Sequence, residues 1–280
     1  MVALRSLRPA LSSLARNPLL FLVTVAFALI QLPQLAVQAI SPFISAILSL
    51  VMTGVLLVVL PFYQGGLLAL ADSSRDGPTA WDAGWRTFLE AGKANYLPLL
   101  LAYLVVLAIV TAFGILLVGA LLVTGAGLLA GLDTNAVLLP AVGLAVALVG
   151  IAYLLTMLFI QFYGHAIVLD DADVIESFKR SISLVRSNLL SVAGYTAIAL
   201  VGGGVLGAVA GGVSLLFAPE MPFADVLPAI TPAVLLVAGV AYVAATALLG
   251  AFYATYSVCV YRALTQLSPG ASLSSDPTAW

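Results

Sequence analysis

The feature that most constrains this chain is the length of its charge-free stretches. Five stretches lack Asp, Glu, Lys and Arg altogether, and they cover residues 17–71, 94–132, 134–169, 187–219 and 226–261. A helix needs about 20 apolar residues to cross a bilayer, so each stretch can hold at least one crossing. Only 8% of the residues are charged, against about 25% in a typical soluble domain. The sequence therefore predicts an integral membrane protein.

The stretches predict an all-α polytopic membrane helix bundle with six transmembrane helices. The first stretch is long enough for two crossings, divided near Ser41, and each of the others holds one. We expect crossings near residues 19–40, 44–68, 97–130, 136–168, 189–217 and 229–264. Eight shorter crossings are the alternative. A strand barrel is disfavoured, because barrel strands alternate in polarity and these apolar runs are continuous.

The distribution of basic residues predicts the orientation. Lys and Arg in loops are retained on the cytoplasmic side of a membrane. All ten lie on one side of the predicted crossings: Arg5, Arg8, Arg16, Arg75, Arg86, Lys93, Lys179, Arg180, Arg186 and Arg262. The opposite loops, near Ser41, near Asp133 and over residues 219–228, contain none. We therefore expect a multi-pass plasma-membrane protein with both termini in the cytoplasm.

Three sets of residues indicate an internal repeat. Three crossings begin at an asparagine that closely follows a basic residue: Asn17, Asn95 and Asn188. Nine residues earlier stands another basic residue: Arg8, Arg86 and Lys179. The returning crossings each carry a Phe-Tyr pair, whose tyrosines are Tyr63, Tyr163 and Tyr253. We take these nine as candidate structural or interfacial positions, and we expect each asparagine to cap or bridge the start of its helix.

The repeat divides a single membrane domain, residues 1–267, into three tandem units. The units cover about 1–68, 79–169 and 173–266, and each is an amphipathic interfacial helix followed by a helical hairpin. The polar residues 268–280 are expected to form a disordered cytoplasmic tail. Since every unit has two crossings, all three share one orientation, and the inverted repeats of many secondary transporters are not indicated.

The amphipathic helices have recognisable faces and starts. One face follows the period of a helix, with Leu4, Leu7, Leu11 and Leu14 in the first unit and Ile175, Phe178, Ile182 and Val185 in the third. In the second unit Asp82 and Gly92 interrupt this face. Thr79 and Asp173 are predicted N-caps, because each precedes an acid by three residues. We expect these helices to lie in the headgroup region or, equally, to pack on the ends of the bundle.

The sequence predicts no catalytic, metal or cofactor site. His165 is the one histidine and Cys259 the one cysteine, and metal sites and catalytic triads need partners. The acidic cluster of Asp170, Asp171, Asp173 and Glu176 is largely explained by helix capping. No predicted crossing has a charged residue near its middle, which disfavours an ion-coupled carrier.

Small and polar residues inside the crossings allow two interpretations each. Gly203, Gly207 and Gly211 recur every four positions, which predicts close packing within the bundle, with a dimer seam as the alternative. The uncharged polar residues either bridge helices or line a path: Gln31, Gln34, Gln38, Gln161, Tyr103, Tyr153 and Tyr242.

The segment from Gln161-Phe162-Tyr163 to Arg186-Ser187-Asn188, and again residues 62–100, resembles the signature of a broad group of uncharacterised microbial membrane proteins. Among their relatives is the membrane domain fused to some glycerophosphodiester phosphodiesterases. The resemblance implies a helical membrane domain and very little about activity. No soluble catalytic barrel is visible here, so phosphodiesterase activity is not implied.

Three functional classes follow. We favour a non-enzymatic membrane protein that organises or senses lipid, or serves as an accessory subunit of a membrane complex. Its expected partners are membrane lipids and another membrane protein, with no nucleic acid. The alternative is an ion-independent permease for an apolar or lipid-like solute, which would need a polar-lined cavity reaching both faces. An intramembrane enzyme would need at least two of His165, Asp170, Asp171 and Tyr163 within hydrogen-bond distance.

The predicted topology can be tested with a reporter inserted at Asp133. We expect the reporter to lie outside, because the adjoining loop has no basic residue. The same reporter fused after Trp280 is the matched control and should lie in the cytoplasm. A cytoplasmic reporter at Asp133 would contradict the proposed orientation.

Overall fold

The computed structural model describes residues 2–36, 42–129, 138–216 and 231–267. Within these ranges every regular element is a helix. In chain order they are α1 (Val2–Arg16), α2 (Pro18–Ala36), α3 (Pro42–Ser73), α4 (Trp81–Ala94), α5 (Tyr96–Leu129), α6 (Leu138–Ile160), α7 (Tyr163–Asp170), α8 (Val174–Ser187), α9 (Leu189–Leu216) and α10 (Pro232–Leu267).

The prediction of an all-α polytopic bundle is confirmed. Helices α3, α5, α9 and α10 are each long and apolar enough to cross a membrane, and so is the stretch from Pro140 to Asp170. A sixth span results if α1 and the start of α2 form one span that bends by 85° at Asn17. The predicted crossing over residues 136–168 is interrupted at Gln161 and Phe162, after which α7 continues the chain.

Apart from α7, which continues the span of α6, the helices occur three times in the order short, long, long. Each short helix packs against the returning helix of another hairpin: α4 on α3, α8 on α6 and α7, and α1 on α10. This end of the bundle, formed by α1, α4, α7, α8 and the adjoining turns of the long helices, is called the packed end below. All ten basic residues lie on or next to these elements.

Among the described residues, most of the buried side chains lie at the packed end. One cluster joins α1, α2, α3, α4 and α10 around Leu20 and Leu70, and a second joins α1, α7, α8, α9 and α10 around Phe162 and Tyr256. Further along α5, α6 and α9, large apolar side chains are exposed, among them Leu122, Leu154 and Leu200. Exposed apolar helix surface of this extent fits a lipid environment.

The short helices pack on the bundle mainly through small residues, and part of the predicted apolar faces stays exposed. Leu4 and Leu11 are exposed, whereas α1 buries Ala3, Ser6, Ala10, Ser13 and Leu14 against the bundle. Likewise Ile175 is exposed while α8 buries Ser177, Ser181, Leu184 and Val185. Small side chains let helix backbones approach closely, and lipid accepts the larger apolar residues.

The packing of α4 requires glycine at position 92, although in the sequence Gly92 interrupts the apolar face of this helix. A Cβ atom at Gly92 would lie 2.9 Å from the backbone oxygen of Phe62, and one at Gly66 would lie 2.5 Å from that of Phe88. Helices α3 and α4 therefore meet almost backbone to backbone. By contrast, no described atom of a neighbouring helix lies within 4 Å of a Cβ built at Gly203, Gly207 or Gly211, so the predicted close packing is not seen at that glycine row among the described residues.

One of the two predicted N-caps is confirmed. The carboxylate of Asp173 accepts a hydrogen bond of 2.8 Å from the Glu176 N–H, and α8 begins at Val174. The prediction for Thr79 is wrong: the N-cap of α4 is Ala80, without a side-chain bond. The Thr79 N–H is instead bound by the side chain of Asn17, at 2.8 Å.

Replacing Gly66 by alanine should destabilise the protein. The added methyl group meets the backbone of α4, which cannot move like a side-chain tip, and such overpacking costs about 1–3 kcal/mol. Gly54→Ala is the matched control on α3, because nothing lies within 4 Å of its Cβ position. Thermal unfolding in detergent should show a lower melting temperature for Gly66→Ala alone. Equal melting temperatures for the two variants would contradict the close approach of α3 and α4.

Candidate functional site

The three asparagines occupy equivalent places at the helix junctions of the packed end. Each donates its side-chain amide to the carbonyl oxygen four residues earlier: Asn17 to Ser13 at 2.9 Å, Asn95 to Ala91 at 3.1 Å and Asn188 to Leu184 at 3.1 Å. These bonds add a side-chain donor to carbonyl groups in the last turn of each short helix, where backbone partners are incomplete. The asparagines therefore terminate the preceding helix where the chain turns into the long one.

Asn17 makes an additional connection. Its side chain is buried, and its Oδ1 accepts the Thr79 N–H from the segment that joins α3 to α4. Asn17 thus bridges the first two predicted units. The three predicted basic positions, Arg8, Arg86 and Lys179, lie exposed on the outer faces of α1, α4 and α8.

An ion-pair network closes the packed end. Arg262 on α10 binds the carboxylate of Asp72 on α3 through Nη2 at 2.7 Å and through Nε at 3.2 Å. Its Nη1 reaches Asp170 at the end of α7 at 3.3 Å. Asp170 is also paired with Arg180 of α8 at 3.0 Å and accepts the hydroxyl of Tyr261. Four helices are therefore joined through two arginines and two carboxylates.

A chamber of about 470 Å³ lies next to this network, among α2, α3, α5, α7, α9 and α10. Pockets of about 300–1,000 Å³ are typical of small-molecule sites. Its polar lining is entirely uncharged and consists of Gln31, Tyr63, Gln64, Tyr103, Gln161, His165, Tyr195, Thr246, Tyr253 and Ser257. Phe27 and leucines from α3, α9 and α10 complete the wall.

Several polar side chains of the wall are held by hydrogen bonds between helices. The Tyr103 hydroxyl donates to Oε1 of Gln64 at 2.7 Å, and the Tyr242 hydroxyl donates to Oε1 of Gln31 at 3.2 Å. The Tyr253 hydroxyl donates to the Ala199 carbonyl at 2.6 Å. These bonds fix α2, α3, α5, α9 and α10 around the chamber.

Other polar atoms of the wall are buried without a partner. Among the described residues, four buried side-chain atoms lack a hydrogen bond: Nε2 of Gln161, both ring nitrogens of His165 and Oγ1 of Thr246. All three residues line the chamber. His165 stacks on Tyr261, with ring centroids 5.4 Å apart, so it connects the chamber wall to the ion-pair network. Buried polar groups are rarely left unpaired, and those of the described structure all belong to residues that line this chamber.

The three predicted tyrosines are at or beside the chamber. Tyr63 lines it and stacks on Phe27 with centroids 4.0 Å apart, and Tyr253 lines it from α10. Tyr163 lies behind the wall, packed edge-on to Tyr103 and stacked on Phe178. The Phe-Tyr pattern therefore pointed to this region. His165, Asp170 and Tyr163 lie on one helix but contact different partners, and no hydrogen bond joins any two of them in the described structure.

Sequence reasoning missed the ion-pair network and much of the chamber. Asp72 and Arg262 each stand nine residues after the tyrosine of a Phe-Tyr pair. Aligning the units on that pair would have put these opposite charges at equivalent positions. Tyr195 and Thr246 had no such signal, because a single polar residue in an apolar helix can equally face a neighbouring helix.

Comparison with known proteins identifies one family. Residues 1–264 match the family described as "Domain of unknown function (DUF7847)". No curated protein matches the chain, and no solved structure does. The resemblance to the membrane domain fused to glycerophosphodiester phosphodiesterases stays a prediction.

Replacing Arg262 by methionine should destabilise the bundle. The variant keeps an apolar stem but leaves Asp72 and Asp170 without the cation that joins them. Breaking a buried pair costs about 3–5 kcal/mol and an exposed pair about 1 kcal/mol or less. Because the Arg262 side chain is 28% exposed, we expect a loss between these values in reversible unfolding. Arg8→Met on the exposed face of α1 is the control, and an equal effect of both variants would contradict a special role of Arg262.

Proposed function

The chain belongs to this family of unknown function, and we propose from its geometry that it is a non-enzymatic multi-pass membrane protein that binds a lipid-like molecule in the chamber. In this proposal it organises or senses lipid, or acts as an accessory subunit of a membrane complex. The observation that carries the proposal is the uncharged polar lining of the chamber, which includes the three residues that carry the unpartnered buried side-chain atoms of the described structure.

The packing of the hairpins supports a ligand that enters from the bilayer. Helix α5 packs on α3, and α6 packs on α8, whereas both have at most sparse contact with α9 and α10 among the described residues. The chamber wall includes Tyr103 of α5 and Leu206 of α9. A lateral gap between these two hairpins would give lipid, but not a water-soluble solute, direct access.

The depth of the chamber favours binding over transport. Along α10 its lining runs from Thr246 to Ser257, which is roughly 16 Å of helix and about half the hydrocarbon thickness. Toward the packed end, the fully buried Tyr256, Tyr261 and Leu264 close the bundle. A permease remains the second candidate, because the uncharged polar lining would also suit a solute that crosses without ion coupling.

We place the packed end at the cytoplasmic side of a plasma membrane. The support is the gathering of all ten basic residues at this end, as the retention of Lys and Arg in the cytoplasm requires. The exposed Leu4, Leu11, Trp81 and Ile175 of the short helices then reach into the headgroup region, where amphipathic helices bind.

Native mass spectrometry of gently purified protein tests the proposal. We expect wild-type protein to retain about one lipid-like molecule, and Leu206→Trp to lose it because the larger ring fills the chamber. Leu200→Trp is the matched control, since Leu200 is on the same helix and exposed; it should retain the molecule. A wild-type protein without bound lipid, or equal occupancy in both variants, would refute binding in the chamber.

Transport is tested separately with proteoliposomes. If the binding proposal holds, reconstituted wild-type protein should not speed the movement of the co-purified molecule between leaflets beyond the rate seen with Leu206→Trp. A faster rate that Leu206→Trp abolishes would favour the permease.

A further inference from the structure

A second cavity lies at the packed end, between α1 and α10 and beside the turn that follows α3. It is called the basic pocket below, and it is lined by Arg5, Ser6, Arg75 and Gln266 together with Cys259 and apolar residues of α1 and α10. Its volume is about 350 Å³, and pockets of about 300–1,000 Å³ are typical of small-molecule sites. Among the described residues, none lines both this pocket and the chamber, so the two are separate.

The described lining of the basic pocket contains two cations and no carboxylate. Arg5 forms neither an ion pair nor a side-chain hydrogen bond with any residue that the structure describes. Arg75 is 33% exposed and binds Asp72 through Nη1 alone, at 3.1 Å. Asp72 is shared with Arg262, which approaches it to 2.7 Å. One carboxylate therefore serves two guanidinium groups, and Arg5 has none.

The charges behind the pocket leave this excess in place. The ion-pair network joins three arginines to two carboxylates, so it keeps one positive charge in excess, and Arg5 adds a second. Asp76 directly follows Arg75 in the chain, but it is exposed and outside the lining. A concave site with unbalanced positive charge attracts anions.

Ser6 provides a hydrogen-bonding group deep in the same pocket. The residue is 4% exposed, and its hydroxyl has no hydrogen-bond partner in the part of the chain that the structure describes. Unlike the unpartnered atoms of Gln161 and His165, its oxygen keeps accessible surface. Ser6 also follows Arg5 directly, so α1 brings a donor and a cation to the pocket together.

We propose that the basic pocket binds the phosphate group of a small water-soluble phosphate monoester. A guanidinium group presents paired N–H donors that match the oxygens of a phosphate, and both Arg5 and Arg75 have donors to offer. A phosphate monoester carries close to two negative charges at neutral pH, which matches the excess at this site. The inference goes beyond the proposed function, because it concerns another cavity and does not depend on the ligand of the chamber.

The orientation of α1 favours a ligand from water over a lipid head group. Leu4 and Leu11 are 62% and 53% exposed, and exposed leucines of an amphipathic helix point toward the acyl chains. With 3.6 residues per turn, Arg5 and Pro9 are rotated from these leucines by about 100° or more. Both line the basic pocket, so the pocket is on the side of α1 that is turned away from the bilayer. In the proposed orientation that side faces the cytoplasm.

Titration with sn-glycerol 3-phosphate tests the inference. Purified full-length protein in dodecyl maltoside and a phosphate-free buffer of low ionic strength is melted at increasing concentrations of this probe. We expect a saturable rise of the melting temperature, since binding to the folded state stabilises it. Glycerol is the matched uncharged probe and should give no saturable rise, because it lacks the phosphate group.

Two arginine variants show whether the basic pocket is responsible. Arg5→Met breaks no contact of the described structure, so the melting temperature without probe should not change. Its Kd for sn-glycerol 3-phosphate should rise about tenfold, the effect of one charge-assisted hydrogen bond. Arg8→Met is the matched control, because Arg8 is an exposed cation of the same helix outside the lining, and it should leave the Kd unchanged. Equal weakening by both variants would overturn the assigned site.

Dioleoyl phosphatidic acid distinguishes a lipid from a soluble source, because it carries the same phosphate monoester on acyl chains. We expect Arg5→Met to leave its binding unchanged. A Kd for this lipid that is lower than that for sn-glycerol 3-phosphate, and that Arg5→Met raises, would overturn the soluble source.

The remaining outcomes separate this inference from the proposed function. Leu206→Trp fills the chamber and should leave the Kd for sn-glycerol 3-phosphate unchanged, and a loss of binding in that variant would overturn the separation of the two sites. No saturable rise with sn-glycerol 3-phosphate in the wild-type protein would overturn the inference. That result would leave the lipid of the chamber untouched, because the native mass spectrometry of Leu206→Trp reads it independently.

Discussion

The arrangement of this bundle depends on one arginine that holds two carboxylates. Arg262 joins Asp72, 190 residues earlier, to Asp170, and so gathers the returning helix of each hairpin at one point. A charge in such a half-buried place is tolerated only if it is paired. The three returning segments are therefore constrained to meet, and the chamber lies directly beside that meeting point.

The junctions at this end explain how three hairpins are held in a ring. Each short helix packs on the returning helix of a different hairpin, and each ends in an asparagine bonded to the carbonyl four residues earlier. Common helix order and a common junction support the predicted triplication, which stays a prediction until the units are superposed. In such an arrangement, the halves of the long helices away from the packed end need little contact between hairpins. Among the described residues they make little.

The length of the charge-free stretches was enough to predict the helical membrane fold, because a helix that crosses a bilayer must have a minimum length and an apolar composition. The faces of α1 and α8 were not predictable in the same way. In water an apolar stripe faces the core, but here lipid is as apolar as the core, so Leu4 and Ile175 lie outward and small residues mark the contact. The Arg262 network could not be predicted, because its members are close in space but far apart in sequence. Tyr195 and Thr246 could not be predicted either, because the sequence does not show which way an isolated polar side chain faces.

The chamber and the packed end have opposite effects on stability. Each buried polar atom without a partner destabilises a fold by about 1–3 kcal/mol, and Gln161, His165 and Thr246 all belong to the chamber lining. A bundle selected for stability alone would bury leucine there, as it does at Leu20 and Leu70. Two features of the packed end offset this loss of stability. They are the close packing of α3 on α4 and the ion pairs of Arg262. The residues that carry these costly polar atoms are therefore the part of the wall on which the proposed ligand site depends.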